Sequence, residues 1–181
     1  MLITPEYLVE QKRLHSEDPQ YAKKAGLWAY MVSGIANVER CYDILDYGCG
    51  KGELGLAIYE GGAYSIPFSF YEYDPAVEGK NELPEPVDLV VCLDVLEHIE
   101  PNCLQDVLND LARVTKKFLF VAISGKLDKM RWLKDGRNAH LIVRDGDWWA
   151  PLLEHSGFKV KRTFNTGLKE WVALLERVHT T

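Results

Sequence analysis

Asp94, Glu97 and His98 stand at positions i, i+3 and i+4. On a helical turn that spacing puts two carboxylates and an imidazole on one face. Such groups are good ligands for a divalent metal such as Mg²⁺, Mn²⁺ or Zn²⁺. The imidazole can also act as a base toward an acceptor group. His140 lies beyond the next strand-like run and can return to the same mouth. His98, Glu97 and His140 are therefore the catalytic candidates, and Asp94, Glu97, His98 and His140 the metal candidates. The plainer alternative is a glutamate that caps or bonds backbone and a histidine that only lines a pocket.

A second constellation is Ile44-Leu45-Asp46-Tyr47-Gly48-Cys49-Gly50-Lys51-Gly52. An apolar, strand-like run ends in an acid, a glycine-rich turn follows, and a helical pattern begins near Glu53. This is the form of a first strand-turn-helix unit whose turn cradles a nucleotide-like ligand. Glycine lets the backbone approach the ligand closely, and the helix start adds unpaired N–H groups. A phosphate-binding Walker loop is excluded because Lys51 is followed by Gly52 rather than Ser or Thr. The dinucleotide fingerprint is excluded because Glu53 stands where its third glycine belongs. About 20 residues past the turn is where such folds hold ribose hydroxyls. Asp74 follows an aromatic strand-like run there, with Glu72 as its rival. A carboxylate accepts both hydroxyl protons; Asp74 before Pro75 also suits a plain turn.

The elements that must position these groups follow from periodicity. Thr4 can cap a helix over residues 4–14, with Pro5 in its first turn. Residues 21–38 read as a second helix. Strands are expected over 43–47 and 67–73, with a helix over 53–60 between them that Gly61-Gly62 ends. Residues 76–86 are too short and polar for a helix plus strand. The continuous apolar run 87–92 is a buried parallel strand. Residues 102–115 form an amphipathic helix with Lys116-Lys117 at its C-terminus, and 118–123 another strand. The loop from 124 to 143 carries Lys126, Lys129, Arg131, Lys134 and Arg137. A helix over 145–155 and a hairpin of strands 158–164 and 171–178 complete the chain.

The chain has 181 residues, 47% of them hydrophobic, with a formal net charge of -6. This fits one domain over 1–181, with residues 1–40 as an N-terminal helical cap. The negative charge makes a duplex-binding surface the weaker expectation, although the 126–137 patch keeps nucleic acid open. No apolar run is long enough to span a membrane, and no signal-peptide pattern opens the chain. Cys41, Cys49, Cys92 and Cys103 lack CxxC spacing, which argues against a cysteine zinc site and a disulfide framework. Cys49, in the glycine turn, and Cys92, at the end of a strand-like run, read as small buried thiols of a reducing compartment, and a cytoplasmic location is expected.

The glycine segment resembles motif I of the class I S-adenosylmethionine (SAM)-dependent methyltransferases, and Val87-Asp88-Leu89-Val90-Val91-Cys92-Leu93-Asp94-Val95-Leu96-Glu97-His98 resembles the motif after their fourth strand. The Asp94-x-x-Glu97-His98 pattern is similar to ubiquinone-pathway O-methyltransferases and to small-RNA 3′-terminal 2′-O-methyltransferases. The resemblance implies an α/β, Rossmann-like, mostly parallel sheet with helices on both faces and an antiparallel C-terminal hairpin; the short 76–86 segment implies a third strand shortened or missing. It implies SAM as cofactor, held by Asp46, Gly48, Cys49, Gly50, Gly52, Asp74, Leu93 and Asp94, and a divalent metal, Mg or Mn, at the acceptor. It gives Tyr7, Gln11, His15 and Tyr21 a lid role, against ordinary packing. Methyl transfer to a hydroxyl of a small or phosphorylated metabolite is the leading reading. An anionic acceptor would be gripped by Arg137 and the lysines before it. Methylation of an RNA end and a non-catalytic SAM-binding scaffold are the alternatives. Trp132, Trp148 and Trp149 are stacking candidates, with core packing favoured for the latter two.

Overall fold

The computed structural model describes residues 1–19, 21, 24–61, 67–167 and 169–179. Helix α1 (Pro5–Glu17) is followed by a 3-10 turn (Ala25–Trp28), α2 (Ala29–Glu39), β1 (Asp43–Tyr47), α3 (Glu53–Gly61), β2 (Ser69–Tyr73) and β3 (Val87–Leu93). A second 3-10 turn (Leu96–His98), α4 (Leu104–Val114), β4 (Thr115–Ser124), α5 (Gly146–His155), β5 (Phe158–Phe164) and β6 (Glu170–Arg177) complete it. The six strands lie in the order β2-β1-β3-β4-β6-β5. β1, β2, β3 and β4 pair in parallel, and β6 runs antiparallel to both β4 and β5.

Side-chain alternation sorts the sheet into two cores. Leu45, Val90, Leu119, Val121 and Leu175 face α4 and α5, where Leu108, Leu111, Trp149 and Leu153 are buried. Ile44, Leu89, Val91, Phe120 and Leu174 face the other way, onto Val32 and Ala36 of α2 and Leu54 and Ile58 of α3. Both faces are covered, as a parallel sheet requires. Among the described residues no strand lies between Tyr73 and Val87, so β2 is the sheet edge and the third strand is missing.

Several expectations shift in detail. Thr4 caps α1 by accepting from the Tyr7 N–H at 3.2 Å, and the helix runs on to Glu17. The expected 21–38 helix is a 3-10 turn leading into α2, and it sits in the layer that covers the sheet. α3 includes Gly61, while Gly62 lies outside the described residues. Lys116 and Lys117 do not complement the end of α4: β4 begins at Thr115, and the two lysines pair with Asp43 at 3.3 Å and Asp88 at 2.9 Å.

The order of strand addition reverses about β1: β2 lies on one side of it and β3 on the other. Ligands of open α/β sheets bind in the crevice at such a switch point, beyond the strands' carboxyl ends.

Candidate active site

A cavity of about 620 Å³ opens at that switch point. One wall is the glycine turn. The Gly48 and Cys49 N–H groups donate to the Tyr73 carbonyl at 2.7 and 3.0 Å, which folds the turn across the end of β2. Gly48 has φ +81, and a Cβ there would overlap the γ-methyls of Val95. Glycine is required at this position twice over, by conformation and by contact. Asp74 accepts from the Gly50 N–H at 3.0 Å through Oδ2 and from the Ala76 N–H at 2.8 Å through Oδ1. Each oxygen keeps a lone pair for a ligand hydroxyl. The rival Glu72 is paired with Lys80 at 2.9 Å and does not line the cavity.

The expected cofactor residues divide. Gly48, Cys49, Asp74, Leu93 and Asp94 line the cavity; Asp46, Gly50 and Gly52 do not. Asp46 is buried behind the turn with Oδ2 unpartnered. Burial, then the neighbouring Glu72, pushes its carboxyl up to about 8. Its place is structural support beneath the turn.

The opposite wall holds the acid–imidazole group. Asp94 caps β3 in a left-handed conformation, φ +52, fixed by its N–H donating to the Ala122 carbonyl at 2.9 Å. The 3-10 turn starts only at Leu96, so the helical face expected for Asp94, Glu97 and His98 does not form. Ligating atoms of Glu97, His98 and His140 instead lie within 4.8 Å of one another, without Asp94. Glu97 does not line the cavity. Its Oε1 accepts from the Ser124 N–H at 2.9 Å, and its Oε2 is buried without a partner. Burial, then Asp94, raises its carboxyl to about 8.

His98 and His140 both line the cavity, their rings 4.7 Å apart and nearly perpendicular. His98 Nδ1 lies 2.9 Å from the Ala139 carbonyl and His140 Nδ1 2.6 Å from the Lys126 carbonyl. A carbonyl can only accept, so Nδ1 carries the proton in each ring and Nε2 offers a lone pair. Burial, then His140, pushes His98 down to about 3, and burial lowers His140 as well.

Helix α1 roofs the cavity. Tyr7, Gln11 and His15, spaced one turn apart, line it together with Tyr21. The Tyr7 hydroxyl donates to the His98 carbonyl at 2.9 Å, and the Tyr21 hydroxyl to Gln11 Oε1 at 2.7 Å. Lys126, Lys129 and Arg131 reach the rim, but Arg137 lies outside it, paired with Asp135 at 2.7 Å. Of the tryptophans, Trp149 is core, and Trp132 and Trp148 are partly exposed and outside the cavity. Sequence reasoning missed Tyr47, Tyr73, Ser124 and Glu170, all cavity residues. Glu170 opens β6 opposite Ser124 in the ladder; only that strand-end position pointed to it.

A family model described as a methyltransferase domain matches residues 13–163. No curated protein sequence matches the chain. Among solved structures, the mitomycin 7-O-methyltransferase MmcR is similar in fold (TM-score 0.61, 19% identity), covering 92% of this chain; this chain spans 60% of MmcR's length. The Burkholderia thailandensis 1,6-didemethyltoxoflavin-N1-methyltransferase, solved with its substrate and S-adenosylhomocysteine (SAH), is similar over 99% of this chain and 92% of its own (TM-score 0.65, 18% identity). The Synechocystis magnesium protoporphyrin IX methyltransferase, bound to SAH, matches over 84% and 82% (TM-score 0.59, 16% identity). With the family model covering most of the sequence and the sheet lacking only its third strand, this chain belongs to the class I SAM-dependent methyltransferases.

Proposed function

We propose that this protein transfers a methyl group from SAM to a hydroxyl of a small acceptor held beside His98. The observation that carries the reading is a single cavity joining the glycine turn and Asp74 to His98 and His140. The residues present fit the cofactor. Gly48 and Cys49 bring the turn to the cavity wall, and Asp74 beside them has lone pairs left for a ribose diol. SAM supplies the activated methyl on its sulfonium. Gly48, Cys49, Leu93 and Asp94 form the wall against it, and α1 excludes water above. His98, neutral and with Nε2 free, accepts a hydrogen bond from the acceptor hydroxyl and aims its oxygen at the methyl carbon. With so low a basicity it orients the hydroxyl rather than ionising it in advance. As the O–C bond forms and the S–C bond breaks to leave SAH, the oxygen becomes strongly acidic and its proton passes through Nε2 to solvent water.

The relatives in fold include both an O- and an N-methyltransferase, so the hydroxyl rests on His98 and the Asp94-x-x-Glu97-His98 pattern. Lys126 and Lys129 at the rim favour an acceptor with an anionic group. The cavity volume of about 620 Å³ and the formal net charge of -6 favour a small molecule over RNA. Among the described residues no helix is long and apolar enough to cross a membrane. Four free, buried cysteines suit a reducing compartment such as the cytoplasm.

A metal-assisted variant is favoured by one observation: the orphaned Glu97 Oε2 beside two imidazoles whose Nδ1 atoms are pinned to carbonyls. Glu97, His98 and His140 would hold a divalent cation there, which lowers the pKa of a bound hydroxyl. SAM-dependent methylation of a panel of phenols, read as SAH release with and without Mn²⁺, tests both readings. Turnover cut roughly 100-fold by His98→Leu is expected. Turnover that ignores His98 contradicts the assignment, and turnover indifferent to metal and chelator removes the metal variant.

A further inference from the structure

His15 sits on α1, not on the glycine turn or β2, yet it faces the expected ribose site. Its Nε2 is 3.8 Å from Asp74 Oδ2, and its side chain is 12% exposed. That separation is too long for a direct hydrogen bond. A hydroxyl can lie against both atoms at once. His15 Nδ1 is buried without a hydrogen-bond partner.

The ring is held in place. Tyr21 packs edge-on against it, centroids 4.9 Å apart, and Tyr21 is itself fixed through Gln11. The C-terminal end of α1 is tied to the glycine turn, because Lys51 Nζ donates to the Asp18 carbonyl at 2.8 Å. The Asp18 carboxylate pairs with Arg131 at 2.8 Å. Burial lowers the His15 pKa although Asp74 opposes it. The neutral ring does not compete with a sugar for the carboxylate.

We infer that His15 is a cofactor-binding residue that meets the ribose diol from the side opposite Asp74, so that bound cofactor ties α1 to the Asp74 wall. The same helix carries Tyr7 against His98 at its other end. Tying it steadies the acceptor wall. This inference rests on the SAM-binding reading above.

The test is calorimetric titration of SAH into wild type, His15→Leu, His15→Gln, Asp74→Asn and the double variant His15→Leu/Asp74→Asn. Each SAH-induced rise in melting temperature is read against that variant's own ligand-free value. His15→Leu is expected to bind about 10-fold more weakly and His15→Gln, which keeps a hydrogen-bonding group, within about threefold of wild type. The double variant should lose less than the product of the single losses, because both side chains serve one diol. SAH should slow amide exchange in α1 of wild type and not in His15→Leu. Wild type that takes up no SAH overturns both the function proposed above and this role. Wild type that binds SAH while His15→Leu matches it, or losses that multiply independently, overturns the role of His15 alone.

Discussion

The two ends of the cavity are built by different means. The glycine-turn end comes from short contiguous segments: residues 46–50 and 73–76 supply the turn, the supporting acid and the proposed diol acceptor, linked by hydrogen bonds to backbone N–H groups. The imidazole end is assembled from distant segments. His98 follows β3, His140 ends a loop pinned by the Ala139 and Lys126 carbonyls, Glu170 opens β6, and Tyr7 arrives from α1. A site made of adjacent residues depends chiefly on its backbone geometry. One made of remote side chains can be altered one side chain at a time. On the function proposed above, cofactor chemistry is the more fixed end and acceptor chemistry the more adjustable one.

The contrast can be broken most severely at Gly48. Gly48→Ala puts a Cβ at φ +81 against Val95, costing about 3 kcal/mol from left-handed strain and overpacking. A lowered urea midpoint and SAH affinity weakened by on the order of 100-fold are expected. At the other end His98→Leu should cut turnover by roughly 100-fold and leave SAH affinity within about threefold, measured by SAH release and calorimetry on one preparation. Equal losses in both assays would mean that the ends are not separable. Next is Asp74→Asn, which replaces a charged acceptor. SAH binding should weaken roughly 10-fold or more, with far less change in unfolding midpoint.

Glu97 sharpens the comparison through pH. Its folded carboxyl is raised to about 8 from an ordinary value of 4.5. Between those values the folded state holds a proton that the unfolded state has released, so its contribution to stability falls as pH rises from about 4.5 to 8. Melting temperatures of wild type and Glu97→Gln at pH 5.5 and 8 in the presence of chelator, at about those two values, should show the variant gaining on wild type at the higher pH. A gap that stays constant with pH would place the proton elsewhere. The smallest effect belongs to Arg137→Ala. Its partner Asp135 is exposed and both lie outside the cavity, so SAH affinity and turnover should stay within about twofold.

What was legible in the sequence follows the same division. Motif spacing brought Gly48, Cys49 and Asp74 to notice, and apolar runs and alternation located nearly every strand, because those signals are local. The helical face expected for Asp94, Glu97 and His98 did not form, since Asp94 turns left-handed to bond Ala122 and the next turn is 3-10. Glu97 withdrew behind the wall because the Ser124 N–H, remote in sequence, needs an acceptor. Arg137 was singled out by charge, but charge does not reveal that Asp135 takes it up. Glu170 and Tyr73 carry no pattern of their own; only the sheet order brings them to the cavity.

The most direct test of one cavity with a cofactor end and an acceptor end is amide hydrogen exchange of wild type with and without SAH. Slowed exchange at residues 48–50, 74–76 and 93–95, with the His140 loop unchanged until an acceptor is added, is the predicted result. Binding without protection at the glycine turn, or protection centred on residues 126–140, would contradict the account.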